Sequence, residues 1–280
     1  MTAPRLVTSA DAVRLAVYES GGPEHPPIVA VHGFPDNHRV WDGVVDLLRI
    51  DHHVITYDVR GAGASDRPTG RLAYRNDRLT DDLIAVLDAV SPDEPVHLLG
   101  HDWGSIQIWP ALTDPRLAGR VASFTSISGP SLDHAAAWLR QLRRHPVASL
   151  RQLAHSYYLF LFQLPVLPEA AIRRGGLRRA VVAAGGRAPE DGDTLSGLWL
   201  YRANVLPRVA RPAPTPISVP VQVVVPDRDP FATPQLAREA PVPWVAQLTV
   251  HDVKGGHWIV AQRPDVIADL VRTFVRGIAQ

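Results

Sequence analysis

The stretch that most constrains this chain is Val96-His97-Leu98-Leu99 running straight into Gly100-His101-Asp102-Trp103-Gly104. A short run rich in leucine and β-branched residues that opens onto Gly-x-nucleophile-x-Gly reads as a strand-to-helix elbow. The flanking glycines are expected to let the backbone turn sharply enough to thrust the central side chain out at the top of a sheet. In this pattern the central residue is commonly serine, which makes acyl-enzymes from esters and amides. Here it is a carboxylate. An aspartate attacks an sp3 carbon bearing a leaving group and forms an ester that water can then cleave. The elbow therefore points to epoxide opening or halide displacement rather than to an esterase. Taken alone, the same string could be an Asp capping a helix N-terminus, so the rest of the chain has to supply partners.

Carboxylate partners follow in order. A nucleophilic Asp needs a base to activate water for the second half-reaction, and the base needs an acid to orient it. The apolar run Val219–Val225 ends in Pro226-Asp227-Arg228-Asp229-Pro230, which puts carboxylates at the C-terminal edge of a strand. Gly255-Gly256-His257-Trp258 places a histidine on a flexible loop after the last strand. The order nucleophile, acid, histidine fits an elbow fold with Asp in the serine position. Asp229 is assigned as the acid and Asp227, two residues earlier, as its alternative.

The chain alternates strand and helix signals. Arg5–Thr8 and Val13–Tyr18 read as two early strands, and Pro27–Val31 as a strand buried on both faces. Further strands are expected at His53–Tyr57, Val96–Gly100, Val121–Ile127, Val219–Val225 and Val245–His251. Helices are expected through Trp41–Leu48, over Tyr74–Val90, after the elbow, and over Pro264–Arg276, stopping at Gly277. This alternation gives an α/β class with a mostly parallel, doubly wound sheet. Residues 131–216 break the pattern: they are helical and arginine-rich, and close on the stiff Arg211-Pro212-Ala213-Pro214-Thr215-Pro216. The expected organisation is a core of residues 1–130 and 217–280 with residues 131–216 inserted as a helical lid that contacts substrate.

Composition narrows the classes. With 29 basic and 28 acidic residues among 280, the net charge is +1, which argues against a nucleic-acid partner. The chain lacks cysteine, excluding disulfides, thiolate metal sites and a thiol nucleophile. His52, His53, His134, His145 and His155 show no metal-ligand spacing with carboxylates, so neither metal nor cofactor is expected. Met1-Thr2-Ala3-Pro4-Arg5 is polar, and no apolar run is long enough to span a bilayer, so the expectation is a cytoplasmic monomer or homodimer without a signal peptide. Lys254 is the only lysine, a bias given no functional weight.

Taken together, His32-Gly33-Phe34-Pro35, Arg60-Gly61-x-Gly63-x-Ser65, the Asp102 elbow, the Asp229 loop and Gly256-His257-Trp258 resemble the α/β-hydrolase-fold epoxide hydrolases over nearly the whole chain. The lid resembles the hydrolase half of actinobacterial proteins in which such a hydrolase is fused to a short-chain dehydrogenase. The resemblance implies an oxyanion hole made by the backbone N–H groups of Phe34 and Trp103, suited to a tetrahedral intermediate on the Asp102 ester. It also implies two lid tyrosines that protonate the departing oxygen, one shortly before a Phe-Gln pair and one opening a Tyr-Arg-x-Asn segment. Phe162-Gln163 and Tyr201-Arg202-Ala203-Asn204 select Tyr158, with Tyr157 as neighbour and runner-up, and Tyr201. A phenol, neutral near pH 7 yet able to donate, suits an alkoxide leaving group. The acid loop departs from the family pattern in carrying Pro226 instead of the usual glycine.

The reading is thus an enzyme that opens an apolar epoxide to a vicinal diol, in detoxification, lipid epoxide turnover or natural-product biosynthesis. The rivals are a haloalkane dehalogenase and a catalytically silent hydrolase-fold binding protein. Phe34 and the tyrosine pair disfavour the first, the complete triad the second, and Trp103, where a fluoroacetate-type dehalogenase has Arg, disfavours that variant. His32 and His101 are expected to be structural and hydrogen-bonded, Asp58, Arg60 and Asp66 to hold the glycine loop, and Trp138 and Trp199 either to pack the lid or to line the pocket. Leu159-Phe160-Leu161-Phe162 is expected to form either an apolar chamber or lid core.

Overall fold

The computed structural model describes residues 4–278, leaving Met1–Ala3 of the polar N-terminal stretch outside the described residues. Eight strands form one sheet in the order β1-β2-β4-β3-β5-β6-β7-β8. They are β1 Arg5–Thr8, β2 Arg14–Ser20, β3 Pro27–Val31, β4 His53–Tyr57, β5 Val96–His101, β6 Val121–Ile127, β7 Val221–Pro226 and β8 Leu248–Val253. β2 runs antiparallel to β1 and β4, and every other pair is parallel. β3, β4 and β5 are buried along their whole length, as apolar runs covered by helices on both faces must be.

The helices are α1 Asp42–Leu48, α2 Asn76–Val90, α3 Trp103–Ala111, α4 Leu132–Leu139, α5 Pro146–His155, α6 Tyr157–Leu161, α7 Leu167–Arg173, α8 Gly176–Ala183, α9 Asp191–Ala210, α10 Pro234–Glu239, α11 Ile259–Gln262 and α12 Pro264–Ile278. One core cluster, including Val29, Leu83, Leu98 and Phe124, lies on one side of the sheet. A second, including Trp41, Leu48, Val224 and Ile267, lies on the other. Helices α4 to α9 fall between β6 and β7, and no named strand interrupts them among the described residues. Among the described residues no helix is long and apolar enough to cross a membrane.

Four local readings change. The α-helix expected from Tyr74 begins at Asn76, because Arg75 is extended (ψ 152°) and residues 71–74 form a 3-10 turn. The cause is tertiary: the Asn204 side chain accepts from the Asn76 N–H (2.9 Å) and donates to the Tyr74 carbonyl (2.8 Å), serving the backbone where the helix would otherwise continue. β7 starts at Val221, two residues later than expected, since Pro220 offers no N–H to the ladder. β8 starts at Leu248, with Val245 making only an isolated bridge to Ile217. Finally, α12 continues through Gly277, so that glycine does not end it.

Candidate active site

The elbow is built differently from the expectation. Asp102 itself takes the unfavourable backbone conformation, φ +50° and ψ −122°, whereas Gly100 and Gly104 do not have positive φ. The glycines are required by close approach instead. A Cβ on Gly104 would run into the Val31 carbonyl, and one on Gly100 would lie 2.6 Å from Ser105 Cα. Strand and helix thus pack tightly enough to hold a strained aspartate, which tertiary packing on every side has to over-determine. Gly33 serves the same purpose from the loop after β3, since a Cβ there would strike the Asp102 side chain.

Three side chains from separate loops meet at this point. His257 Nδ1 lies 3.0 Å from Asp229 Oδ2, and its Nε2 lies 3.6 Å from Asp102 Oδ2. The backbone N–H groups of Phe231 and Ala232 donate to Asp229 Oδ1 at 2.8 and 3.3 Å, fixing the carboxylate. Asp227, the alternative acid, lies on the exposed side of the loop and accepts from the Gly255 N–H at 2.9 Å. Phe34 N–H donates to Asp102 Oδ1 at 2.7 Å, and the Trp103 N–H also hydrogen-bonds this carboxylate.

The electrostatics follow from burial opposed by pairing. Burial pushes Asp102 up to about 6, against the pull of His257 and the two N–H groups. Burial would also raise Asp229, but the charge and hydrogen bond of His257 hold it below the usual carboxylate range. Burial would lower His257, but the Asp229 and Asp102 carboxylates outweigh it and raise the imidazole to about 9.

Tyr158 from α6 and Tyr201 from α9 face each other with ring centroids 6.1 Å apart, and both line cavities that also expose Asp102. Tyr157 is largely exposed, at the edge of one of these cavities. Burial, and then the neighbouring charge of Asp102, raise both Tyr158 and Tyr201 well above the ordinary phenol range, so they stay protonated. Tyr201 is wedged edge-on against Phe34 (5.2 Å), Trp103 (4.9 Å) and Phe162 (4.9 Å). The rest of the Tyr-Arg-x-Asn segment is also engaged. Arg202 donates to the Phe162 and Leu164 carbonyls and to Glu169, while Asn204 fastens α9 to the start of α2.

Asp102 lies between two chambers. One, about 230 Å³, is lined by Phe162, Leu177, Val181, Trp258 and His257. The other, about 90 Å³, is lined by Leu132, Leu139, Leu159, Val205 and Leu236. Tyr158, Tyr201 and Phe231 border both. Leu159 and Phe162 therefore line chambers, while Phe160 is exposed. Trp138 packs on Leu236 and Ala240, stacks on His145 and donates to Glu239. Trp199 stacks with Arg202, and neither tryptophan lines these chambers.

The surrounding polar residues brace the loops. His32 accepts from the Val59 N–H and so must donate through Nδ1 to the Gly33 carbonyl, which fixes a neutral tautomer. His101 donates through Nε2 to the His257 carbonyl at 2.9 Å, leaving its Nδ1 unpartnered, so it is only half satisfied. Burial lowers it to about 3. Asp58 joins His38, Tyr18 and the Ala64 N–H; Arg60, itself buried, joins Asp11 and Asp82; Asp66 joins Arg14.

Three contributors escaped the sequence reading. Asp36, buried beside Asp102 and His257 and pushed up to about 7 by burial, accepts from Trp258 Nε1 at 3.0 Å. Its only sequence signal was its place just after His32-Gly33-Phe34-Pro35. Phe231 stands edge-on to His257 at 4.7 Å. Gln152 of α5 joins the insertion to the acid loop through the Phe231 carbonyl (2.9 Å) and the Thr233 N–H (2.8 Å). No motif signalled the last two. Among the described residues, no group of three His, Asp or Glu converges as a metal-ligand set.

A family profile described as alpha/beta hydrolase fold matches residues 26–264. This chain belongs to the α/β-hydrolase fold family. It is 39% identical over 298 residues to the probable oxidoreductase EphD of Mycobacterium tuberculosis, an alignment covering 96% of this chain and 49% of EphD. It is 35% identical over 187 residues to epoxide hydrolase A of the same organism, covering 66% of this chain and 55% of that protein. The chain thus spans about half the length of the curated relatives it first matches. A variant of an epoxide hydrolase from Bacillus megaterium superposes with a TM-score of 0.81 at 23% identity, covering 97% of this chain and 100% of that one, a likeness of fold.

Proposed function

We propose that this α/β-hydrolase opens an apolar epoxide to a vicinal diol through a covalent ester on Asp102, with residues 131–216 acting as a cap over a core of residues 1–130 and 217–280. The observation that carries the reading is the pair of protonated phenols, Tyr158 and Tyr201, facing the chambers at Asp102. A departing halide leaves as the anion and needs no proton donor. An epoxide oxygen, which stays tethered and develops alkoxide charge, does need one. The names of relatives such as epoxide hydrolase A agree with this chemistry.

In the first half-reaction an Asp102 oxygen attacks one ring carbon and the C–O bond to the epoxide oxygen breaks. Tyr158 or Tyr201 gives that oxygen its proton, leaving a hydroxyalkyl ester and a tyrosinate. In the second, His257 takes a proton from water and the hydroxide adds to the ester carbon of Asp102. The N–H groups of Phe34 and Trp103 stabilise the oxyanion. Collapse frees the diol and the carboxylate, and the proton on His257 returns to the tyrosinate. Alkylation erases the charge of Asp102, one of the three carboxylates that raise His257 alongside Asp229 and Asp36, so the imidazole becomes a better base at the step that needs one. The apolar chamber walls supply the binding.

Changing Tyr158 or Tyr201 to Phe should slow alkylation by about 10²–10⁴, the range of general acid catalysis. The double variant should be nearly inactive while still binding an apolar diol. Diol should form from epoxides, with no halide from 1-bromoalkanes. Halide release that survives both Tyr→Phe changes would overturn this reading in favour of a dehalogenase.

A further inference from the structure

The charge balance of the chain hides a segregation. Residues 140–187 hold nine arginines and a single carboxylate, Glu169, while the whole chain carries a net charge of only +1. Glu169 is itself paired with Arg202 at 2.7 Å. Arg187, opposite Asp42 at 3.6 Å, has an ion pair, but Arg143, Arg151, Arg173, Arg174 and Arg178 have none among the described residues and all are exposed.

The same segment carries an unusual amount of bare apolar surface. Of the eighteen large apolar side chains exposed among the described residues, eleven lie between 142 and 182. Val147, Leu150, Tyr157, Phe160, Leu164 and Val166 recur at short intervals, mostly three or four residues, through α5, α6 and the following loop, and Val147 and Val166 are 78% and 74% exposed. Scattered apolar residues on a surface are ordinary, but a dense run of them marks a contact face.

Arginines interleaved with protruding aliphatic and aromatic groups match one kind of surface in both respects. Anionic headgroups meet the guanidinium groups, and the acyl boundary beneath accepts the apolar side chains. The placement relative to the chambers adds to this. Tyr157 and Leu161 are exposed on this face and also line the larger chamber. On α8, Leu177 and Val181 line that chamber while Arg178, Arg179 and Val182 are turned to solvent. The mouth of the chamber is therefore framed by the cationic, apolar segment.

We propose that the outer face of the helical insertion is a peripheral docking surface for an anionic lipid bilayer, seating the chamber mouth against the membrane without any segment spanning it. The arginine bias that is featureless in composition is, by position, a headgroup-binding patch.

Flotation with vesicles of phosphatidylcholine alone, and of phosphatidylcholine mixed with phosphatidylglycerol, tests this without relying on catalysis. The chain should partition onto the mixed vesicles, much less onto the neutral ones, and should be released by salt. Arg173→Gln/Arg174→Gln/Arg178→Gln should lower partitioning on the order of a hundredfold. Leu150→Ser/Phe160→Ser/Val166→Ser should also lower it with an unchanged melting temperature; if that variant melts early, the arginine variant decides. Absence of binding to either vesicle, or binding indifferent to anionic lipid and to the three arginines, would overturn the proposal. So would a concentration-dependent dimer in sedimentation that the Ser variant abolishes while the unmodified chain ignores vesicles, since the face would then join two copies.

Discussion

At the scale of single residues, Asp102 and His257 work against the same burial. Each is taken out of water: Asp102 is helped back towards its charge by His257 and by the Phe34 and Trp103 N–H groups, and His257 by Asp229 first and then Asp102. Replacing His257 with Gln should leave the first half-reaction possible and stall the second, because only ester hydrolysis needs a base. Mass spectrometry of the folded variant should show one substrate mass added, and a folded but inactive variant that never gains it would contradict the role given to His257. The pH dependence has a definite sign. Alkylation needs ionised Asp102, so its single-turnover rate should fall as pH drops through about 6 and hold steady above, where the raised tyrosines remain protonated. Hydrolysis of the preformed ester should rise with pH and level off below 9, since the ester no longer props up His257. An alkylation rate flat from about pH 5 to about pH 8 would count against a carboxylate nucleophile with this environment.

At the scale of elements, the central parallel strands were readable because burial on both faces leaves short runs rich in apolar and β-branched residues, and β3, β4 and β6 have the bounds their sequences suggest. What could not be read is what depends on distant partners. Arg75 looks helical locally, yet Asn204 from α9 supplies hydrogen bonds that end the turn there. The order Asp102, Asp229, His257 was legible as spacing. Phe231 and Gln152 were not, because their positions arise only when α5 closes on the acid loop. Glycines at the elbow were legible as glycines, but their reason, contact with Val31 and Ser105 rather than positive φ, belongs to packing. Asn204→Ala should show how far one side chain fastens the insertion. Removing it leaves the buried Asn76 N–H and Tyr74 carbonyl unpaired, so unfolding free energy should fall by about 2–3 kcal/mol in a denaturant titration. A loss below about 0.5 kcal/mol would mean that α9 is held by packing alone.

At the scale of the whole molecule, a mostly parallel sheet delivers three loop ends to one edge, and the helices of residues 131–216 bring two phenols over them. In the proposed reaction the loops of the sheet would supply the carboxylates, the imidazole and the paired N–H donors, while residues 131–216 bring the two phenols and most of the apolar wall. The distinction on which this account depends is whether the oxygen added to the substrate comes from Asp102 or directly from water. A single turnover in 18O-water, with enzyme in excess over a styrene oxide-type substrate, tests it most directly. The first-turnover diol should be essentially unlabelled, with the heavy oxygen found in the Asp102 carboxylate of the recovered protein. Full label in the first-turnover diol and none in Asp102 would contradict it.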